Sequence, residues 1–128
     1  MATKLRFGTA LLVAGLVFFA GYAAGQKKFG QPKTIIHVSL IKWKPDAPEA
    51  EKQKAINGVL EMAARIPGIK NVWLKPKRMQ PRDHHAAFVL EFENEEAATR
   101  YAEDPLHKEW STHFLSIREA SISPQITN

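Results

Sequence analysis

The stretch from Thr34 to Trp43, TIIHVSLIKW, constrains the fold more than any other part of the chain. Its β-branched residues favour an extended strand. Side chains alternate across a strand, so Ile36, Val38 and Leu40 share one face, while Ile35, Ile41 and Trp43 share the other with His37 and Ser39. Both faces are largely apolar, and each needs a cover. A chain of 128 residues has room for one hydrophobic core. A single layer of helices can close one face of such a sheet, and the second face must be closed by something else.

The following segments supply that layer. Asp46 is placed to cap a helix, with Pro48 in its first turn and Glu49 positioned to return the hydrogen bond. Ile56, Val59, Leu60, Ala63 and Ile66 recur at helical spacing, and Pro67-Gly68 ends the run. Asn71 to Lys75, NVWLK, reads as a second strand, with Pro76 at its end or on an edge. Ala86 to Phe92, AAFVLEF, reads as a third strand, again mostly apolar on both sides. Asn94 caps a short helix with Glu95 and Glu96 in its first turn, stopping near Asp104. Asp104 and Pro105 then open another helix, whose apolar stripe is Leu106, Trp110, Phe114 and Ile117. The tail from Ala120 to Ile126 is a last strand, which Pro124 confines to an edge or a bulge.

This order predicts an α+β domain of the ferredoxin-like βαββαβ kind, an antiparallel sheet with its helices on one face. Ile36, Val38, Leu40 and Val89 then leave the other face apolar. Keeping four such side chains in water forgoes about 1.5 to 3 kcal/mol each, so the pattern predicts a two-fold homodimer through the sheet face.

Ahead of the domain, Lys4 and Arg6 precede an uncharged run from Phe7 to Gly25, the pattern of an export signal. Ala23 and Gly25 are the small residues before a cut at Gln26. The alternative is an uncleaved inner-membrane anchor formed by residues 7–25, at the lower end of the roughly 17 to 25 residues that span a bilayer. Residues 1–25 are thus read as signal peptide or membrane anchor, 26–33 as linker and 34–128 as the domain. The expected location is periplasmic or secreted, with membrane contact only through an uncleaved leader.

The formal charge of +5 resides in Lys4, Arg6, Lys27, Lys28 and Lys33, while the remaining 13 basic residues are balanced by 13 acidic ones. A neutral domain has no net field to concentrate on phosphates, so nucleic acid is not an expected partner. Lys70, Lys75, Lys77, Arg78 and Arg82 gather near Trp73 and read as a solvated edge strand and loop. The chain has no cysteine, which excludes disulfides, thiolate metal sites and a cysteine nucleophile. It also lacks a Gly-rich phosphate loop and a nucleophile elbow. Adjacent His84 and His85 point apart on a strand, and His107 and His113 are six residues apart rather than four, so neither metal nor cofactor is expected.

Four stretches, HVSLIKWKPD, IPGIKNVW, FVLEFEN and above all YAEDPLHKEW, resemble the stress-responsive dimeric alpha/beta barrel (Dabb) family over essentially all of the chain after the linker. The resemblance implies a ferredoxin-like fold and a dimer whose two sheets face each other to form a barrel. It does not imply one activity, because the family includes stress-induced proteins without known catalysis and a polyketide cyclase. In the cyclase branch, the tyrosine and histidine matching Tyr101 and His107 orient substrate and act as base, and a first-strand histidine matching His37 borders the cavity. The residues themselves support the pairing: Asp104 and Pro105 redirect the chain so that Tyr101 and His107 can converge. His107 in a first helical turn feels the positive end of the dipole and is expected to be neutral.

The resemblance therefore implies Tyr101 and His107 as candidate catalytic residues. It implies a pocket of His37, Ser39, Ile41, Ala86 and Phe88 for a small apolar or aromatic ligand. The sequence departs from the cyclase branch at Ala86, where another pocket histidine stands, and at Ser39, which replaces an apolar residue. Two functions stay open: an exported ligand-holding or stress-related module without established catalysis, or a polyketide-cyclase-like enzyme. In the bland alternative Tyr101 and His107 merely brace the turn between their helices.

Overall fold

The computed structural model describes residues 12–17, 20, 30 and 33–128. Residues 12–17 are helical and exposed, while the rest of the expected leader and most of the expected linker lie outside the described residues. No helix among the described residues is long and apolar enough to cross a membrane. Residues 32–128 form a compact unit of their own.

In that unit the elements run β1 (Ile35–Trp43), α1 (Glu49–Arg65), β2 (Ile69–Trp73), β3 (Ala86–Phe92), α2 (Glu95–Glu103), α3 (Pro105–Ile117), β4 (Arg118–Ile122) and β5 (Gln125–Ile126). The sheet is antiparallel in the order β2-β3-β1-β4, with β5 also paired to β1. The expected ferredoxin-like α+β arrangement is present. Pro124 splits the last strand as its missing N–H requires, yet its carbonyl accepts from the Val38 N–H at 3.0 Å, so the edge stays attached to β1.

Register fixes which side chains meet the helices. Ile35, His37, Ser39 and Ile41 on β1 lie opposite Phe92, Leu90, Phe88 and Ala86 on β3. This is the helix-facing side, and Ile41, Leu90 and Phe92 are fully buried there with Ala55, Val59 and Met62 of α1 and with Phe114 of α3. The other side carries Ile36, Val38, Leu40 and Val89, none of which is fully covered. Trp73, Ile122 and Ile126 pair onto the same face from the neighbouring strands and are each at least half exposed.

Three local expectations are corrected. Asp46 does not cap α1: the Ala47 N–H donates to the Lys44 carbonyl, closing a tight turn that leaves Asp46 two residues short, and Pro48 occupies the cap with no side-chain hydrogen bond. Glu49 pairs with Lys52 rather than returning to the cap. Leu60 is 52% exposed, because the buried stripe is Ala55, Val59, Met62 and Ile66 and Leu60 sits one residue off it. The second strand lies two residues earlier than expected, since Gly68 lets the chain turn directly into pairing with β3 and Pro76 falls beyond the strand.

The caps expected for the later helices form. The Asn94 side chain accepts from the Ala97 N–H at 2.8 Å, and the Asp104 side chain accepts from the Leu106 N–H at 2.8 Å with Pro105 in the first turn.

Candidate functional site

The turn between α2 and α3 builds the site. Tyr101 is the last buried residue of α2, and its carbonyl accepts from the Asp104 N–H at 3.2 Å, ending the helix. Asp104 then re-initiates the chain in α3, which places His107 one turn in. The two rings converge, with centroids 4.3 Å apart at 45°. From the sheet, His37 approaches the Tyr101 ring at 6.3 Å, and Phe92 lies 5.0 Å from it. His37, Tyr101 and His107 are therefore one cluster, drawn from β1, α2 and α3.

Protonation follows from the contacts. His107 Nδ1 lies 3.2 Å from the Ala102 carbonyl. A carbonyl oxygen only accepts, so Nδ1 carries the proton and, in the neutral ring, Nε2 carries the lone pair. Burial lowers the His107 pKa, outweighing the Ala102 carbonyl and Asp104, which favour the cation. His37 is lowered too, first by burial and then by the neighbouring His107. Burial raises the Tyr101 hydroxyl, which therefore stays a proton donor. Near neutral pH the cluster thus presents two uncharged imidazoles and a phenol. His37 Nδ1 is buried without a hydrogen-bond partner among the described residues, a state that typically carries a penalty of about 1 to 3 kcal/mol.

Other sequence-derived pocket residues lie along the same face. Phe88 is 6.0 Å from His37 by ring centroid. Ser39 is buried, and its Oγ accepts from the Ser123 hydroxyl at 3.2 Å. Ile41 is fully enclosed in the core and Ala86 opposite it is half-buried. The remaining histidines stand elsewhere: His84 beside Asp83 at 3.0 Å, His85 accepting from the Trp43 N–H, and His113 against Glu51.

Sequence reasoning assigned Trp110 to the core and missed its part in this cluster. Its ring stacks near His107 at 6.0 Å and 28°, meets Phe88 edge-on at 5.9 Å, and its Nε1–H donates to the Ala55 carbonyl at 2.8 Å. Gly58 makes that approach possible, since a Cβ there would stand 2.5 Å from Trp110 Cδ1. A glycine inside an otherwise good helix was the available signal. Trp110 also floors a cavity of about 660 Å³ between α1 and α3, so the indole has the His107 ring on one side and that cavity beside it.

The sequence profile described as Stress responsive A/B Barrel Domain matches residues 35–125. The chain belongs to the stress responsive A/B barrel domain family. Solved structures share the fold of this chain at low identity. A dimeric ferredoxin-like protein of unknown function from Thermobifida fusca is 17% identical, covering 80% of this chain and 97% of its own, at TM-score 0.66. A hydroxynitrile lyase from Passiflora edulis is 12% identical, covering 76% of this chain and 94% of its own, at TM-score 0.69. A cofactor-independent oxygenase from Streptomyces nogalater is 17% identical, covering 75% of this chain and 93% of its own, at TM-score 0.62. No curated protein matches the chain significantly.

The depressed histidines set a pH dependence for this Dabb domain. Unfolded, each imidazole titrates near its ordinary 6.5; folded, both His37 and His107 resist protonation. Between the lowered folded values and 6.5 the unfolded chain binds more protons, so stability rises with pH through that window and is fully present above it. Urea unfolding followed downward from neutral pH is expected to show stability falling below about 6.5, with a shallower fall in His37→Gln. Stability that is flat or rises on acidification through this window contradicts the assignment.

Proposed function

We propose that the chain acts as an exported homodimer, paired through its open sheet face, that holds a small apolar or aromatic molecule against the His37, Tyr101 and His107 cluster. The observation that carries this reading is the open face itself. Ile36, Val38, Leu40 and Val89 form its centre and Trp73, Ile122 and Ile126 extend it, a contiguous apolar surface of the kind that marks an interface. The dimeric Thermobifida fusca protein of the same fold supports the same assembly. For the ligand, the support is the unpartnered Nδ1 of His37 beside two polar ring groups in an otherwise aromatic surround.

Native mass spectrometry of the purified chain tests this reading. The expected species is two chains with additional small-molecule mass, and a bare monomer contradicts it. The export element predicts a mature chain beginning at Gln26 by N-terminal sequencing. An intact leader recovered in the membrane fraction contradicts cleavage and supports the anchor.

A second reading, an enzyme, is favoured by one observation. Ala102 holds His107 Nδ1 as a donor, which leaves Nε2 as a neutral base beside a protonated phenol, the pair a proton transfer requires. The lyase and the oxygenase are precedents for catalysis on this fold, although fold alone does not carry function. His107→Ala is expected to abolish turnover or weaken ligand binding while leaving thermal stability within about 1 kcal/mol, as for a half-exposed residue outside the core. Unfolding of that variant supports the bracing role instead.

A further inference from the structure

The charge balance of the domain conceals a division. Of its 13 basic residues, five (Lys70, Lys75, Lys77, Arg78 and Arg82) fall between Pro67 and Arg82, a stretch without one carboxylate, so the remainder of the domain sets 8 basic residues against 13 acidic. Lys70 lies on β2 next to Asn71, which pairs with Glu91 of β3. The other four lie in the segment that joins β2 to β3, which has no regular secondary structure, and all four are exposed. None of them pairs with a carboxylate among the described residues. Asp83, the next acid along the chain, is taken by Lys42 at 3.7 Å and by His84 at 3.0 Å.

The segment is fixed where it enters β3. The His84 N–H donates to the Pro81 carbonyl at 3.2 Å and the His85 N–H to the Ile41 carbonyl at 2.8 Å, while Met79 is half-buried. Lys75 to Arg82 extends over at most about 25 Å, so the four charges share one patch. A single-stranded nucleic acid needs aromatic platforms for its bases, and a duplex needs an element shaped to a groove. Leu74 to Arg82 contains no aromatic residue and no helix or strand, and Trp73 just before it belongs to the open sheet face. A planar anionic surface asks only for exposed positive charge. It touches the segment alone and leaves the acidic remainder of the domain in water.

We propose that the β2–β3 segment is a docking surface for an anionic lipid bilayer, with Lys75, Lys77, Arg78 and Arg82 against the headgroups. The contact is separate from any that the leader makes and does not depend on what the His37, Tyr101 and His107 cluster binds.

The test reads the segment itself. The chain has no cysteine, so Gln80→Cys carries a single fluorescent label on an exposed position beside the four charges. The labelled full chain is mixed with vesicles that bear a nitroxide quencher on the lipid headgroup, made either of phosphatidylcholine alone or with roughly one-third phosphatidylglycerol. Quenching is expected with the anionic vesicles, little with phosphatidylcholine alone, and reversal in roughly 0.5 M salt, where charges are screened within a few ångströms. Each charge near such a surface is worth about fivefold in binding, so adding Lys75→Gln and Lys77→Gln should raise the lipid concentration for half-quenching about thirtyfold. Replacing all four basic residues by Gln should abolish the quenching, and these exposed substitutions leave the fold intact. A label at Asn57→Cys, on α1, should not be quenched. Equal quenching by both vesicle types, or no loss when all four charges are removed, overturns the surface. Displacement from the vesicles by a DNA oligonucleotide at equal phosphate concentration overturns the bilayer as its partner.

Discussion

Gly68→Ala is expected to destabilise the domain by about 2 to 5 kcal/mol, one of the largest effects of any single methyl group added to this chain. Two penalties coincide at this position. Gly68 has φ of +90°, a conformation that L residues adopt only with strain of roughly 1 to 2 kcal/mol. A Cβ there would also stand 2.5 Å from Ala97 Cβ, on the first buried turn of α2. Ala97 cannot swing aside, because its Cβ has no rotamer and its N–H is held by the Asn94 cap. The Gly68 carbonyl, in turn, accepts from the Glu93 N–H at 2.9 Å, tying the entry of β2 to the entry of α2. Overpacking of such a contact adds about 1 to 3 kcal/mol. For a domain of this size the midpoint of thermal unfolding should fall by roughly 10 °C or more. The double variant Gly68→Ala/Ala97→Gly relieves the contact and leaves the backbone strain, so it should recover part of the loss. Full recovery, or no change in the single variant by calorimetry, contradicts this account of the turn.

The sequence made most of the fold legible because its patterns are local. Alternation in TIIHVSLIKW and AAFVLEF located β1 and β3, and the Asn94 and Asp104 caps located α2 and α3. What it could not show were interactions set by distant parts of the chain. One miss was local: the turn closed by the Ala47 N–H and the Lys44 carbonyl puts Asp46 two residues before Pro48, the residue that occupies the cap. The start of β2 was set by pairing with β3, and the rotation of α1 by which residues met the sheet, so the second strand and Leu60 were misplaced. In the candidate site, the convergence of Tyr101 and His107 was legible from the Asp104-Pro105 turn between them. The tautomer of His107 was not, since it depends on the Ala102 carbonyl, nor was Trp110, whose place depends on Gly58 fifty-two residues earlier.

Val38→Asp is expected to abolish self-association while leaving the monomer folded. Val38 lies opposite Val89 at the middle of the open face, flanked on its own strand by Ile36 and Leu40. In an isolated protomer this position is only half-buried, so a carboxylate there remains hydrated and the loss is about 1 kcal/mol of strand preference. In a two-fold dimer the substitution enters twice at one interface, placing two like charges in an apolar layer at a cost of several kcal/mol. The dissociation constant should rise by a factor of about a thousand or more. Leu60→Asp, an equal insult to an exposed apolar residue on the helix side, should leave association unchanged. Sedimentation equilibrium at micromolar concentration measures this directly: pairing through the sheet predicts a dimer for the native chain and Leu60→Asp and a folded monomer for Val38→Asp. A native chain that sediments as a stable monomer, or a Val38→Asp variant that remains dimeric, contradicts it.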